Sequence, residues 1–129
     1  MNWFFNFLTS SIGRKVIMSL TGIFLMLFLI VHLAGNLQLL IPDEGEKFNL
    51  YAKMMTTNPI IKVIAYGNYF FILLHAVQGI LLWSKNRSAR RTRYAVATGA
   101  SSSFASRNMG WLGVVIFVFI LVHMGQFWF

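Results

Sequence analysis

Three histidines, His32, His75 and His123, stand in a chain of 129 residues that has no cysteine and only three acidic residues. Each histidine sits inside a long uncharged apolar stretch. An ionisable side chain in hydrocarbon is costly and usually marks a functional site. The chemistry open to imidazoles so placed is axial ligation: two histidines at one level can clamp a haem iron from both faces. Iron with both axial positions filled carries electrons and does not bind oxygen. The structural alternative is a neutral histidine hydrogen-bonded to a neighbouring helix. Other chemistries find no residues. Asp43, Glu44 and Glu46 all lie in one loop, so no buried acid–base pair exists. No glycine loop of the phosphate-binding kind occurs. Without cysteine the chain can form neither a disulfide, a thiolate-held iron–sulfur cluster nor a covalent c-type haem link.

The stretches that position the histidines are Val16 to Pro42, Val63 to Ser84 and Asn108 to Phe129. Each reaches the roughly 20 residues that cross a hydrocarbon core. Hydrophobic residues make up 57% of the chain and charged residues 11%, a balance that a soluble domain of this size cannot bury. Apolar residues run on without alternating, which argues against strands. The expectation is an all-α integral membrane domain over residues 1–129, with three transmembrane helices at about 16–41, 61–84 and 108–129 in an up-and-down haem-binding bundle.

Charge orients these spans. The net charge is +8. Arg14 and Lys15 precede the first span, and Lys85, Arg87, Arg90, Arg91, Arg93 and Arg107 lie between the second and third. Cationic residues gather on the cytoplasmic side, so the N-terminus is expected inside and Phe129 outside. That topology explains the basic balance better than a nucleic-acid partner does. A cleaved signal peptide is not expected, because the first apolar run is too long and lacks a small-residue cleavage site.

Depth pairs two of the histidines. At 1.5 Å per residue, His32 lies about 24 Å and His123 about 22 Å from the inner starts of their spans. His75 lies about 12 Å from the inner end of its span. His32 and His123 therefore share a level, and His75 has no partner at its own. On the face of His32 lie Phe28, Leu29, Gly35 and Asn36. Gly79, four residues beyond His75, leaves room for a porphyrin plane. Asn68 and Gln78 lie near the His75 face and can reach a propionate or a quinone, or bond a neighbouring helix. Ile116, Phe119 and Ile120 make the surroundings of His123 apolar.

The remaining segments read more simply. MNWFFNFL belongs in the membrane interface. Ser10 or Ser11 caps the first span, which runs to about Leu40, where Pro42 stops it. Residues 48–55 are helical and lie on the outer surface. Asn58-Pro59 starts the second span, which ends near Trp83. KNRSARRTR is a basic run for an anionic lipid surface, ATGASSSFAS is a linker, and Ser106 caps the third span. No internal repeat stands out.

The segments SSIGRKVIMSLTGIFLMLFLIVHLAGNLQL, FNLYAKMM, LLHAVQGILLW and SRNMGWLGVVIFVFILVHMGQFW resemble the cytochrome b subunit of succinate dehydrogenase or fumarate reductase, in its b558-type branch of five helices and two haems. The combination of HLxxN at His32 to Asn36 with HAVxG at His75 to Gly79 is the specific part. The resemblance covers nearly the whole chain. It implies a membrane anchor, in the bacterial cytoplasmic membrane, for a flavoprotein subunit with FAD and an iron–sulfur subunit. Electrons pass through haem b between the iron–sulfur subunit and a quinone, usually menaquinone. It implies that His32 and His123 hold the outer haem and that His75 supplies one ligand of the inner haem, whose partner belongs to a fourth helix. The sequence departs from the family by stopping after the third span, so a fragment is expected, or else a ligand from another chain. Arg14 and Arg107, at the inner boundary, can pair with haem propionates or the iron–sulfur subunit, or simply signal topology. Succinate or fumarate chemistry falls to the partner flavoprotein. Two other readings stay open: the cytochrome b anchor of another quinone-linked dehydrogenase, and a haem-free membrane scaffold.

Overall fold

A computed structural model describes residues 2–89 and 103–128, and every regular element in them is helical. Helix α1 (Asn2–Thr9) carries the aromatic N-terminal run, with Trp3, Phe4 and Phe5 exposed. It turns directly into α2 (Ser11–Asn36) at Ser10. The extended Ser10 accepts the Gly13 N–H at 3.0 Å, so it is the cap, and its own hydroxyl donates to the Phe7 carbonyl at 2.6 Å. An N-cap oxygen satisfies an otherwise orphaned first-turn donor. Gly13 lies so close to the Phe7 carbonyl that a Cβ there would overlap it. The Arg14 Nε–H donates to the Thr9 carbonyl at 3.1 Å. Together these contacts fix the corner between the two helices.

The first span ends at Leu40, just before Pro42, as expected. Its α-helical part ends at Asn36 and one 3₁₀ turn, Leu37–Leu40, continues the rod. Ile41 is then extended, as a residue before proline prefers to be. A tight turn follows, in which the Asp43 carboxylate accepts from the Gly45 and Lys47 N–H groups and Gly45 takes φ +83°. Helix α3 (Glu46–Thr57) is the expected short helix, extended by two residues at each end. Its Tyr51 lies on Gly35, where a Cβ would come within 2.8 Å of the ring.

Helix α4 (Pro59–Ser88) starts where Asn58-Pro59 predicts. The Asn58 side-chain oxygen accepts the Ile60 N–H at 2.9 Å, and proline suits the first helical position, where no donor is needed. The helix passes five residues beyond Trp83. Its 30 residues span about 45 Å, more than the hydrocarbon thickness of about 30 Å. Lys85 and Arg87 in the last turn meet the negative end of the helix dipole.

Helix α5 (Phe104–Trp128) begins one turn earlier than the apolar run requires. Ser103, not Ser106, is its cap: the Ser103 hydroxyl accepts the Ser106 N–H at 3.2 Å. A cap must stand two or three residues ahead of the donor it satisfies. Ser106 is that donor here. Residues 85–88 of the basic run belong to the last turn of α4, and residues 104–106 of the expected linker are already helical in α5; residues 90–102 lie outside the described residues.

Ser11–Leu40, Pro59–Ser88 and Phe104–Phe127 are each long and apolar enough to cross a membrane. Burial is inverted relative to a soluble fold. Among the described residues no apolar side chain is buried, and the two buried polar ones are Thr21 at 4% and Asn68 at 3% exposure. Lipid is the solvent for such a surface. The chain is an all-α, multi-pass membrane protein.

Two compact units make up the chain, Met1–His75 and Ala76–Phe129. Within the first, α2 and the opening turns of α4 meet through side chains. Phe24 packs on Phe71 with ring centroids 4.6 Å apart, and Thr21 meets His75. A later residue of α2 pairs with an earlier one of α4, so these segments run antiparallel. Within the second, Trp83 packs edge-on to Trp111 at 5.8 Å and covers Gly110, while Arg87 stands over the Trp83 ring.

Candidate functional site

All three histidines are half-buried and lie within the candidate spans. Their surroundings differ. The His32 ring stacks on Phe28, with centroids 5.4 Å apart and planes 23° from parallel. The His123 ring stacks on Phe119 in nearly the same way, at 5.5 Å and 19°. The Phe127 ring also lies against it, at 4.8 Å and tilted by 51°. A helical side chain leans toward the N-terminal end of its helix and covers the position four residues before it. The phenylalanine is therefore a fixed platform for the imidazole.

His75 also has a phenylalanine four residues before it. The runs FLIVH, FILLH and FILVH end at His32, His75 and His123. This threefold Phe-x-x-x-His pattern is a repeat that the sequence reading passed over. The signal was present, but short apolar runs in membrane helices look alike. At His75 the pattern is used differently. Phe71 turns to Phe24 of α2, and the His75 Nδ1 lies 2.8 Å from the Thr21 hydroxyl. Thr21 was not singled out from the sequence. Its hydroxyl also donates toward the Ile17 carbonyl at 2.8 Å, and the Met18 carbonyl lies 3.2 Å away. Gly22, next along α2, admits the imidazole: a Cβ there would come within 3.2 Å of the His75 Cε1.

The other expected residues are placed as follows. The Asn36 amide nitrogen lies 3.4 Å from the His32 Nε2, at the edge of hydrogen-bond distance. Leu29 is exposed, and Gly35 faces Tyr51 of α3 rather than an open pocket. Gly79 is half-buried in the second unit. Ile116 and Phe119 are exposed and Ile120 half-buried, an apolar surface around His123. Arg14 is engaged with the Thr9 carbonyl at the α1–α2 corner. Arg107 is exposed in the first turn of α5.

Two amides carry a signal of their own. The Asn68 Oδ1 and the Gln78 Oε1 are buried and meet no donor. A buried polar atom without a partner is costly. Each is an acceptor, so each suits a hydroxyl, an N–H or a water better than an ionised propionate or a quinone carbonyl, which also accept.

What these residues can do chemically is bounded by their kind. Among the described residues no three histidine, cysteine or acidic side chains gather to hold a bare metal ion. A planar iron cofactor needs only one or two imidazoles, an apolar shell and a ring orientation. His75 fits that demand in one respect that can be read directly, because its Nδ1 is held by Thr21 and its Nε2 is not the bonded atom. Compared with known proteins, the chain matches no family model, no curated protein and no solved structure.

Proposed function

We propose that the chain is a haem b-binding membrane anchor of a succinate:quinone oxidoreductase, carrying electrons between an iron–sulfur subunit and a membrane quinone. The carrying observation is one half-buried histidine in each of three spanning helices, each with a preorganised neighbour: Phe28, Thr21 and Phe119. Haem supplies one-electron chemistry, tuned by its axial ligands and the shell around it. The chain's own residues supply the ligand nitrogens, set the ring planes and exclude water with apolar side chains. In this reading His32 and His123 ligate one haem, and His75 gives one ligand to a second. The other ligand of that second haem comes from outside these 129 residues. The bacterial cytoplasmic membrane is the proposed setting on the strength of the resemblance, and the N-terminus is placed inside by the cationic residues in the first turns of α2 and the last turn of α4.

The specific choice of complex rests on the resemblance of the four histidine-bearing and loop segments. Purification of the chain from detergent-solubilised membranes tests it. The expected result is a co-purifying flavoprotein with FAD and an iron–sulfur protein, together with a b-type signal that succinate reduces. A b-type signal with a different soluble partner would move the assignment to another quinone-linked dehydrogenase. A folded chain with no haem in any preparation would leave a membrane scaffold.

A further inference from the structure

We propose that Thr21 is a positioning residue that locks His75 in one tautomer, with Nδ1 protonated and the Nε2 lone pair turned out to receive a metal. The proposal deepens the haem reading and rests on it for the identity of that metal.

Counting protons decides the tautomer. The Thr21 hydroxyl has a single proton and three neighbours: the Ile17 carbonyl at 2.8 Å, the Met18 carbonyl at 3.2 Å and the His75 Nδ1 at 2.8 Å. The two carbonyls can only accept. With the Thr21 proton directed to Ile17, the hydroxyl lone pairs face Nδ1, which then carries hydrogen. Both 2.8 Å contacts are paired in this arrangement, and the Met18 carbonyl also accepts from the His75 ring, which again requires a ring N–H on that side. In the opposite one, the Thr21 proton turns to Nδ1 and the hydroxyl oxygen is left facing two carbonyl oxygens without a proton between. Thr21 is only 4% exposed, so no bulk water relieves that repulsion, and low polarity enlarges it. The favoured arrangement is therefore Nδ1–H donating to Thr21.

Two neighbours support the same orientation. Gly22 lets the imidazole edge lie against α2, where a Cβ would press on Cε1 at 3.2 Å. Phe71, the residue that could have stacked on His75, is occupied by Phe24. His75 thus takes its ring plane from another helix, whereas His32 and His123 take theirs from their own. A metal-bound histidine donates its second ring N–H to an acceptor that fixes its tautomer and raises its basicity. Thr21 is such an acceptor.

The test uses the full chain, free of haem and in lipid bilayers, with nitrogen-15 in its histidines. Solid-state NMR distinguishes protonated from unprotonated ring nitrogens, and a His75→Gln variant identifies the His75 signals. The expected spectrum has Nδ1 protonated and Nε2 unprotonated. Thr21→Val removes the hydroxyl and should give mixed tautomers, while Thr21→Ser should restore the single form. A dominant Nε2–H form in the unaltered chain, or no change in Thr21→Val, would overturn the proposal without touching the haem reading. In the assembled complex, Thr21→Val should weaken haem retention at the His75 site by about 10- to 100-fold, and Thr21→Ser should not. If His75→Gln itself retains every haem, the haem reading of His75 fails and the metal part of the proposal falls with it, whatever the tautomer.

Discussion

At the scale of single residues, polar groups decide most in a membrane helix because lipid offers them nothing. Asn68 is 3% exposed and its amide oxygen meets no donor. Leaving such an acceptor unpaired costs about 1–3 kcal/mol. Asn68→Leu should therefore raise the stability of the isolated chain by a comparable amount, read as a higher midpoint in a denaturing-detergent titration. A lower midpoint would mean that a donor in the membrane already satisfies this oxygen. Thr21 is the contrasting case, buried to the same degree but fully engaged with Ile17 and His75. The difference between these two residues is invisible in the sequence. Both are polar residues in apolar runs, and only the pairing of α2 with α4 shows which one has a partner.

At the scale of elements, the helices follow their caps more closely than their apolar lengths. Hydropathy marks the stretch that needs lipid, and three apolar runs were enough to fix the number and approximate position of the spans. The ends were less legible, because a helix stops where its terminal backbone groups find partners. Ser10 and Asn58-Pro59 were readable for that reason. Ser106 was misread because Ser103 precedes it at the spacing a cap requires. Ser103→Ala should weaken the start of α5 by about 0.5–2 kcal/mol, seen as faster amide exchange in residues 104–107. Ser106→Ala should leave that exchange unchanged. Equal effects of the two would contradict the cap assignment. The small helix α3 depends on Gly35 in the same concrete way, since Tyr51 occupies the space of a side chain. Gly35→Val should cost about 1–3 kcal/mol through overpacking and expose residues 41–58 to protease. Unaltered protease resistance would show that Tyr51 does not need that contact.

At the scale of the whole molecule, the fold class was legible because composition leaves no other solvent than lipid. Topology should be legible too. Cysteines introduced near Arg14 and Lys85 should be shielded from an impermeant thiol reagent in intact cells, and one near Lys47 should react. The reverse pattern would invert the proposed orientation. The candidate histidines were legible in the sequence, but their surroundings were not. The notable contacts of each, the Phe28 and Phe119 platforms and the Thr21 bond, come from side-chain directions that no count of residues supplies. The depth argument that pairs His32 with His123 is geometry along the membrane normal, so it is best tested by what the pair holds. The most direct measurement is a dithionite-reduced minus oxidised spectrum of the purified membrane protein, with pyridine haemochrome quantification, on the unaltered chain and on His32→Ala, His75→Ala and His123→Ala. The account predicts a b-type signal from which His32→Ala and His123→Ala remove the same haem, while His75→Ala spares it. A folded, helical protein without any haem signal, or a common loss in His32→Ala and His75→Ala, would contradict it.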